Sequence, residues 1–225
     1  MSSPSPIKVF SHASGPNSWK INILLDELNI PYETDFKGFG DLHTPEFAKY
    51  SLNGRVPVIV DPNTNITLWE SGAIIKYIIE TYDKEGKLNV TTSPEKYLLD
   101  QWLFFQASGQ GPYFGQALWF SYFHSDTNIA SAKERYINEI KRVTKVLDSA
   151  LAGKDYLVGN KLTFADLAFV PWYWAAEGLE PVSPGLFKGL KDELPNFKGW
   201  IERLYALPSV EKAVKDRKDA MATLH

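Results

Sequence analysis

From residue 7 to residue 86 the chain alternates short apolar runs with helical spacing. Ile7-Lys8-Val9-Phe10 has the length and composition of a strand. The turn-rich Ser14-Gly15-Pro16-Asn17-Ser18 follows it. Trp19, Ile23, Leu24 and Leu28 then share one face at three- and four-residue spacing, which predicts a helix over 17–28. Pro31 ends that helix, Tyr32–Phe36 reads as a second strand, and Pro45 suits the first position of a short helix. Val58-Ile59-Val60 and Ile66-Thr67-Leu68 flank Asp61-Pro62-Asn63-Thr64-Asn65, a hairpin turn with proline at its second position. From Ser71, Ile74, Ile75, Ile78, Ile79 and Tyr82 mark another amphipathic helix. The order β-α-β-α-β-β-α implies a mixed sheet with helices packed on it.

After about residue 86 the strand patterns stop. Lys87–Ser93 is polar and Thr-rich, and Ser93-Pro94-Glu95 makes a good helix start. Aromatic-rich helices are predicted over 95–108 and 112–124, separated by a Gly/Pro break. Over 130–151, Tyr136, Ile140, Val143, Leu147 and Leu151 repeat at helical intervals with charges on the other face. Thr163-Phe164-Ala165-Asp166 looks like a capping box with Asp in place of Glu. The helix it opens runs toward Trp174, with a kink expected at Pro171. Two further helices fit 197–206 and 209–221. The expected fold class is therefore α/β plus all-α: a small α/β domain over 1–86, a linker over 87–93 and an all-helical domain over 94–225.

Composition narrows the chemistry. The 225 residues include no cysteine, which removes disulfides, thiolate zinc sites and any nucleophile of cysteine type. A net charge of −3 argues against nucleic acid as a partner. His12, His43, His124 and His225 are scattered, so no metal site is expected. Gln101 to Ser125 runs 25 residues without Asp, Glu, Lys or Arg, long enough to span a bilayer. Its four Gln, three Gly and one Pro argue against a membrane span. The first six residues, Met1-Ser2-Ser3-Pro4-Ser5-Pro6, lack the basic and apolar regions of a signal peptide, so an intracellular, cytoplasmic protein is expected. Gly109-x-Gly111-x-x-x-Gly115 mimics a dinucleotide fingerprint but follows no strand.

Three segments of the first half carry candidate chemistry. Asn17 stands at the mouth of a helix, where unpaired N–H groups attract thiolates and other anions, although Asn is also a common N-cap. In Asn53-Gly54-Arg55-Val56-Pro57-Val58, a proline just before a strand suits either a cis peptide or a plain edge turn. The cis form would turn the Val56 backbone outward to pair with an extended peptide. In Leu68-Trp69-Glu70-Ser71-Gly72, Ser71 and the following N–H groups could bind a carboxylate while Glu70 takes an ammonium. Together these suit a zwitterionic amino-acid end. The plainer reading makes Ser71 a cap and Glu70 a charge favoured by the helix dipole.

On these motifs, with Trp102-Leu103-Phe104-Phe105-Gln106, Gly115-Gln116-Ala117-Leu118 and Leu162-Thr163-Phe164-Ala165-Asp166, the chain resembles a glutathione transferase over essentially its whole length. It is most similar to the fungal class related to the yeast nitrogen-catabolite regulator. The regulator's Asn-rich N-terminal extension and its insertion before the capping-box helix are absent here, which favours the free-standing enzymes of the class.

The resemblance implies a thioredoxin-like first domain and a glutathione cosubstrate, with no permanently bound cofactor. It implies that Asn17 donates to the glutathione sulfur, with Ser14 as the alternative. Val56, before a structural cis-proline at Pro57, would hold the cysteinyl backbone; Glu70 and Ser71 would hold the γ-glutamyl end. His43 and Arg55 would approach the glycyl side, unless Arg55 serves structure and His43 is a surface residue. Ten aromatics lie between 97 and 123, and Phe120 and Tyr122 are the candidates for a hydrophobic acceptor site. The implied activity is conjugation of small electrophiles and reduction of organic hydroperoxides by a homodimer. A carrier of glutathione conjugates or aromatic ligands, or a regulatory protein-binding member of the fold, are the alternatives.

Overall fold

The computed structural model describes residues 4–126 and 128–223. Its first half follows the predicted order: β1 (Ile7–Ser11), α1 (Pro16–Glu27), β2 (Tyr32–Phe36), a 3-10 turn (Asp41–His43), α2 (Pro45–Ala48), β3 (Val58–Asp61), β4 (Ile66–Trp69) and α3 (Ser71–Tyr82). The strands form one sheet in the order β2-β1-β3-β4. β1 is parallel to β2, as a strand–helix–strand crossover requires, and antiparallel to β3. β3 and β4 form the hairpin, with Asp61 opposite Ile66.

The hairpin turn is held from within and from α3. Asp61 Oδ1 accepts from the Asn63 N–H at 2.8 Å, and Oδ2 accepts from the Tyr77 and Tyr82 hydroxyls at 2.6 and 2.5 Å. Burial favours a neutral carboxyl there, but these hydrogen bonds outweigh it and hold Asp61 below the ordinary aspartate range. On one side of the sheet Phe10, Leu42, Phe47 and Val58 form a cluster, with Val56, Val60 and Trp69 packed against it. On α3, Ile74, Ile75, Ile78 and Ile79 are buried, each worth roughly 1.5–3 kcal/mol by apolar transfer.

In the second half, α4 (Glu95–Phe105), α5 (Gly111–Tyr122), α6 (Ala130–Ala150), α7 (Phe164–Glu177), α8 (Leu186–Glu193) and α9 (Pro195–Tyr205) follow one another. The expected Gly/Pro break between α4 and α5 is instead a π-helical turn over Gln106–Gln110. Gln106 Nε2 donates to Gln110 Oε1 at 2.9 Å, and Gln110 Nε2 donates to the Phe169 carbonyl at 3.1 Å. These two fully buried amides occupy each other and α7, so the turn stays hydrogen-bonded where a break was expected. The glycines beyond it serve packing. A Cβ at Gly115 would lie 3.3 Å from the Trp172 ring, and one at Gly111 would lie 3.4 Å from Trp172 Nε1.

Helix α7 is almost wholly buried and continues past Pro171, which lies inside it. α8 was not anticipated. Its apolar face is only Leu186, Phe187 and Leu190, too short a repeat to stand out from a turn-rich stretch.

The last helix, α10 (Pro208–Ala222), packs against α1. The compact units accordingly run to Asn89 and resume at Ala206, with Val90–Tyr205 as the second unit. Sequence grouping of 94–225 leaves this return unmarked, because α10 meets α1 across more than 180 residues of chain. Ser209 Oγ donates to Glu27 Oε1 at 2.6 Å, and Lys212 Nζ donates to Asp26 Oδ2 at 2.9 Å and to the Tyr32 hydroxyl at 3.0 Å. Among the described residues, no helix is long and apolar enough to cross a membrane.

Candidate functional site

Three chain segments end at the same place in the first unit. β1 delivers the chain to the start of α1, the segment before β3 crosses beside it, and β4 turns into α3. Between them lies a cavity of about 280 Å³, lined by Asn17, Asn53, Arg55, Val56, Pro57, Trp69, Glu70 and Ser71.

Asn17 is not the cap of α1. Gly15 occupies that position with no side-chain bond, and Pro16 opens the helix, which leaves Asn17 one residue inside the first turn. It is half-buried and faces the region where the helix N–H groups are unpaired. Ser14 is absent from the cavity wall. Its hydroxyl is 2.9 Å from His12 Nδ1, which also accepts the Ser14 backbone N–H at 3.2 Å. Because that N–H can only donate, Nδ1 is the acceptor and the hydroxyl donates to it as well. Burial lowers the pKa of His12, which favours the same neutral ring.

The Val56–Pro57 peptide is cis. Upstream, the Arg55 N–H donates to Ser51 Oγ at 3.3 Å, and Gly54 takes a positive φ of 60°. A Cβ on Gly54 would stand 3.0 Å from the Leu42 carbonyl and 3.1 Å from His43 Nδ1. His43 therefore touches the loop from behind at Gly54. It is exposed and does not line the cavity, unlike Arg55, which does.

Glu70 precedes α3 with φ 73°, ψ 111°, a backbone conformation that costs a non-glycine residue on the order of 1–3 kcal/mol. Its exposed side chain lines the cavity beside Ser71, the first residue of the helix. Behind Ser71 is a group the sequence reading passed over. Lys20 Nζ donates to Ser71 Oγ at 3.3 Å from a side chain that is 2% exposed. Burial lowers its pKa to about 7, with the Glu70 carboxylate acting in the opposite direction. Asn53 and Trp69 were likewise given no role, although both flank residues that were.

The arrangement offers an amide and a helix terminus at one end and a carboxylate, a hydroxyl and a second helix terminus at the other. Between them stands the Val56 backbone. Among the described residues, no group of three or more acidic or histidine side chains is placed to hold a metal ion.

The glutathione S-transferase N-terminal domain model matches residues 5–80, and the C-terminal domain model matches residues 112–208. The chain is 44% identical over 218 residues to glutathione S-transferase 2 of Schizosaccharomyces pombe, covering 92% of this chain and 94% of that one. The chain belongs to the glutathione S-transferase family. Within it, similarity extends to the Ure2p class of fungi. The glutathione transferase URE2P6 of Phanerochaete chrysosporium, solved with oxidized glutathione, is 41% identical, with a TM-score of 0.87 over 95% of this chain and 97% of that one. Ure2p5 of the same fungus, cocrystallized with 1-(S-glutathionyl)-2,4-dinitrobenzene, is 38% identical, with a TM-score of 0.88 over the whole of both chains. Family membership accounts for the mixed sheet followed by helices.

The two acceptor-site candidates lie in the helical unit. Phe120 is half-buried and stacks on Tyr136, with ring centroids 5.5 Å apart and planes 11° from parallel. Tyr122 is exposed, and its hydroxyl donates to the Gly178 carbonyl. Each is thus tied to a neighbouring part of its own unit.

Proposed function

We propose that this protein binds glutathione in the cavity at the start of α1 and transfers its thiolate to small hydrophobic electrophiles. The observation that carries the reading is the meeting of Asn17, Val56, Glu70 and Ser71 around one cavity in a chain of this family. In this reading Glu70 takes the ammonium of the γ-glutamyl end. Ser71 and the first N–H groups of α3 take its carboxylate, and the Val56 backbone pairs with the cysteinyl residue. Arg55 meets the glycyl carboxylate; His43 supports the loop at Gly54.

Asn17 has no basic atom at neutral pH, so its part is to stabilise the thiolate. A thiol of pKa ~8.5 becomes a nucleophile in proportion to its ionised fraction. A hydrogen bond to a charged group is worth ~1.5–3 kcal/mol, or about one to two pKa units. That brings much of the bound thiol into the ionised form near pH 7. The sulfur lone pair then forms the bond to the electrophilic carbon, and the leaving group departs with its electron pair. Phe120 and Tyr122 are proposed as contacts for the acceptor.

The test is a calorimetric titration with glutathione and S-hexylglutathione, followed by rates with 1-chloro-2,4-dinitrobenzene and with an organic hydroperoxide. Saturable binding of both peptides and conjugation of the arene are expected. Failure of either peptide to bind contradicts the reading; binding without turnover marks a carrier instead.

A further inference from the structure

Helix α1 is buried without interruption from Ser18 to Leu25, and Lys20 sits inside that run. Lysine is almost never fully buried unless paired, because removing an ammonium from water is expensive. Here the Ser71 hydroxyl and the Glu70 charge are among the groups that meet it. Lys20 lies directly behind Ser71, and Ser71 lines the cavity. Glu70, next in the chain, lines it too.

We propose that Lys20 is a positioning residue for the ligand's α-carboxylate: from behind α3 it sets the Ser71 hydroxyl as a donor and supplies the positive charge that the carboxylate meets. This rests on the reading of the cavity as a glutathione site. The hydrogen-bond chemistry is directional. An ammonium has no acceptor lone pair, so Ser71 Oγ must accept from Lys20 and has its own hydrogen for another partner. A neutral amine can accept, which allows the Ser71–Lys20 bond to reverse and withdraws both the donor and the charge.

Burial places Lys20 close to that change, with a pKa of about 7. Glu70 is a charged group that faces it from the β4–α3 junction. On α10, Lys212 and Asp216 meet α1 at Asp26, and Ser209 meets it at Glu27. Those positions are six and seven residues along the helix, on the order of 9–10 Å away. On β1 the titratable group is Lys8, paired with Asp35, and His12 follows the strand. A carboxylate arriving at Ser71 favours the protonated lysine, so binding draws in a proton. Affinity must then fall as pH rises through about 7.

The probe is S-hexylglutathione, which has no titrating thiol, measured by calorimetry at pH 7 in buffers of differing ionisation enthalpy. Wild type should take up a fraction of a proton on binding, and its affinity should decline between pH 6 and 8. Lys20→Met should abolish both effects and weaken binding by about tenfold, the size of a charge-assisted hydrogen bond. It should not weaken binding of the analogue whose γ-glutamyl α-carboxylate is replaced by hydrogen. If Lys20→Met fails to fold, Lys20→Arg, charged at every pH of the series, should bind without proton uptake. Wild-type binding without proton uptake, or uptake that persists in Lys20→Met or Lys20→Arg, overturns the role of Lys20 while leaving the glutathione site standing. Absence of wild-type binding overturns the site itself.

Discussion

The indole Nε1 of Trp200 donates to Oδ1 of Asp166 at 2.9 Å, joining α9 to the first turn of α7. The same carboxylate accepts the Leu157 N–H at 2.9 Å, the Thr163 N–H at 3.0 Å and the Thr163 hydroxyl at 2.7 Å. A residue legible in sequence as a helix cap is thus the common acceptor for three separate parts of the helical unit. Burial pushes its carboxyl above the ordinary value, against those four bonds, which favour the ionised form.

Asp166→Ala should therefore destabilise the protein by about 3–5 kcal/mol, because it leaves buried donors unpaired as well as removing a cap. Urea denaturation checks this. A loss of only ~1 kcal/mol, the usual worth of a cap, would show that the donors find other partners.

His12 should make stability fall in mild acid. Its ring is held neutral by burial, whereas the unfolded chain takes up a proton near pH 6.5. The unfolded state then binds more protons, so stability is full above that pH and is lost as pH falls through it toward the folded value. Melting temperatures measured from pH 7.5 to 5.5 should decline in wild type and less in His12→Asn. Equal slopes would contradict the assignment. Because the Ser14 hydroxyl is engaged by His12, Ser14→Ala should leave the conjugation rate within about twofold of wild type.

Gly54→Ala should cost about 1–3 kcal/mol and raise the KM for glutathione. The added methyl meets the Leu42 carbonyl and the His43 ring in a backbone conformation that alanine avoids, and relief must come from the Arg55–Val56 segment. Thermal melts and initial rates read the two effects. An unchanged KM would mean that this loop does not position the peptide.

Much of the first unit was legible because its signals are local. Pro16, Pro45 and the Asp61–Asn65 turn mark where elements start or reverse, and the cavity forms where three such ends meet. Asn17, Val56, Glu70 and Ser71, which line that cavity, were readable for that reason, whereas Arg55 entered only through the family resemblance. Lys20 was not, since its place is decided by α3, 51 residues away in the chain. The stripe of Trp19, Ile23 and Leu24 describes a helix with one buried face, yet β1, α3 and α10 surround α1. The return of α10 was hidden similarly, because its partners Asp26 and Glu27 lie more than 180 residues away in the chain. The Gly109–Gly115 pattern, set aside as a dinucleotide fingerprint because it follows no strand, is a packing feature: Gly111 and Gly115 lie against Trp172 and Gly109 against Phe105.

The central claim is that Asn17 stabilises the thiolate of bound glutathione. Thiolate absorbance of the glutathione complex, titrated against pH for wild type and Asn17→Ala, tests it most directly. The midpoint should rise by about one unit or more in the variant, with the glutathione dissociation constant changed much less. Superimposable titrations for the two proteins would contradict the account.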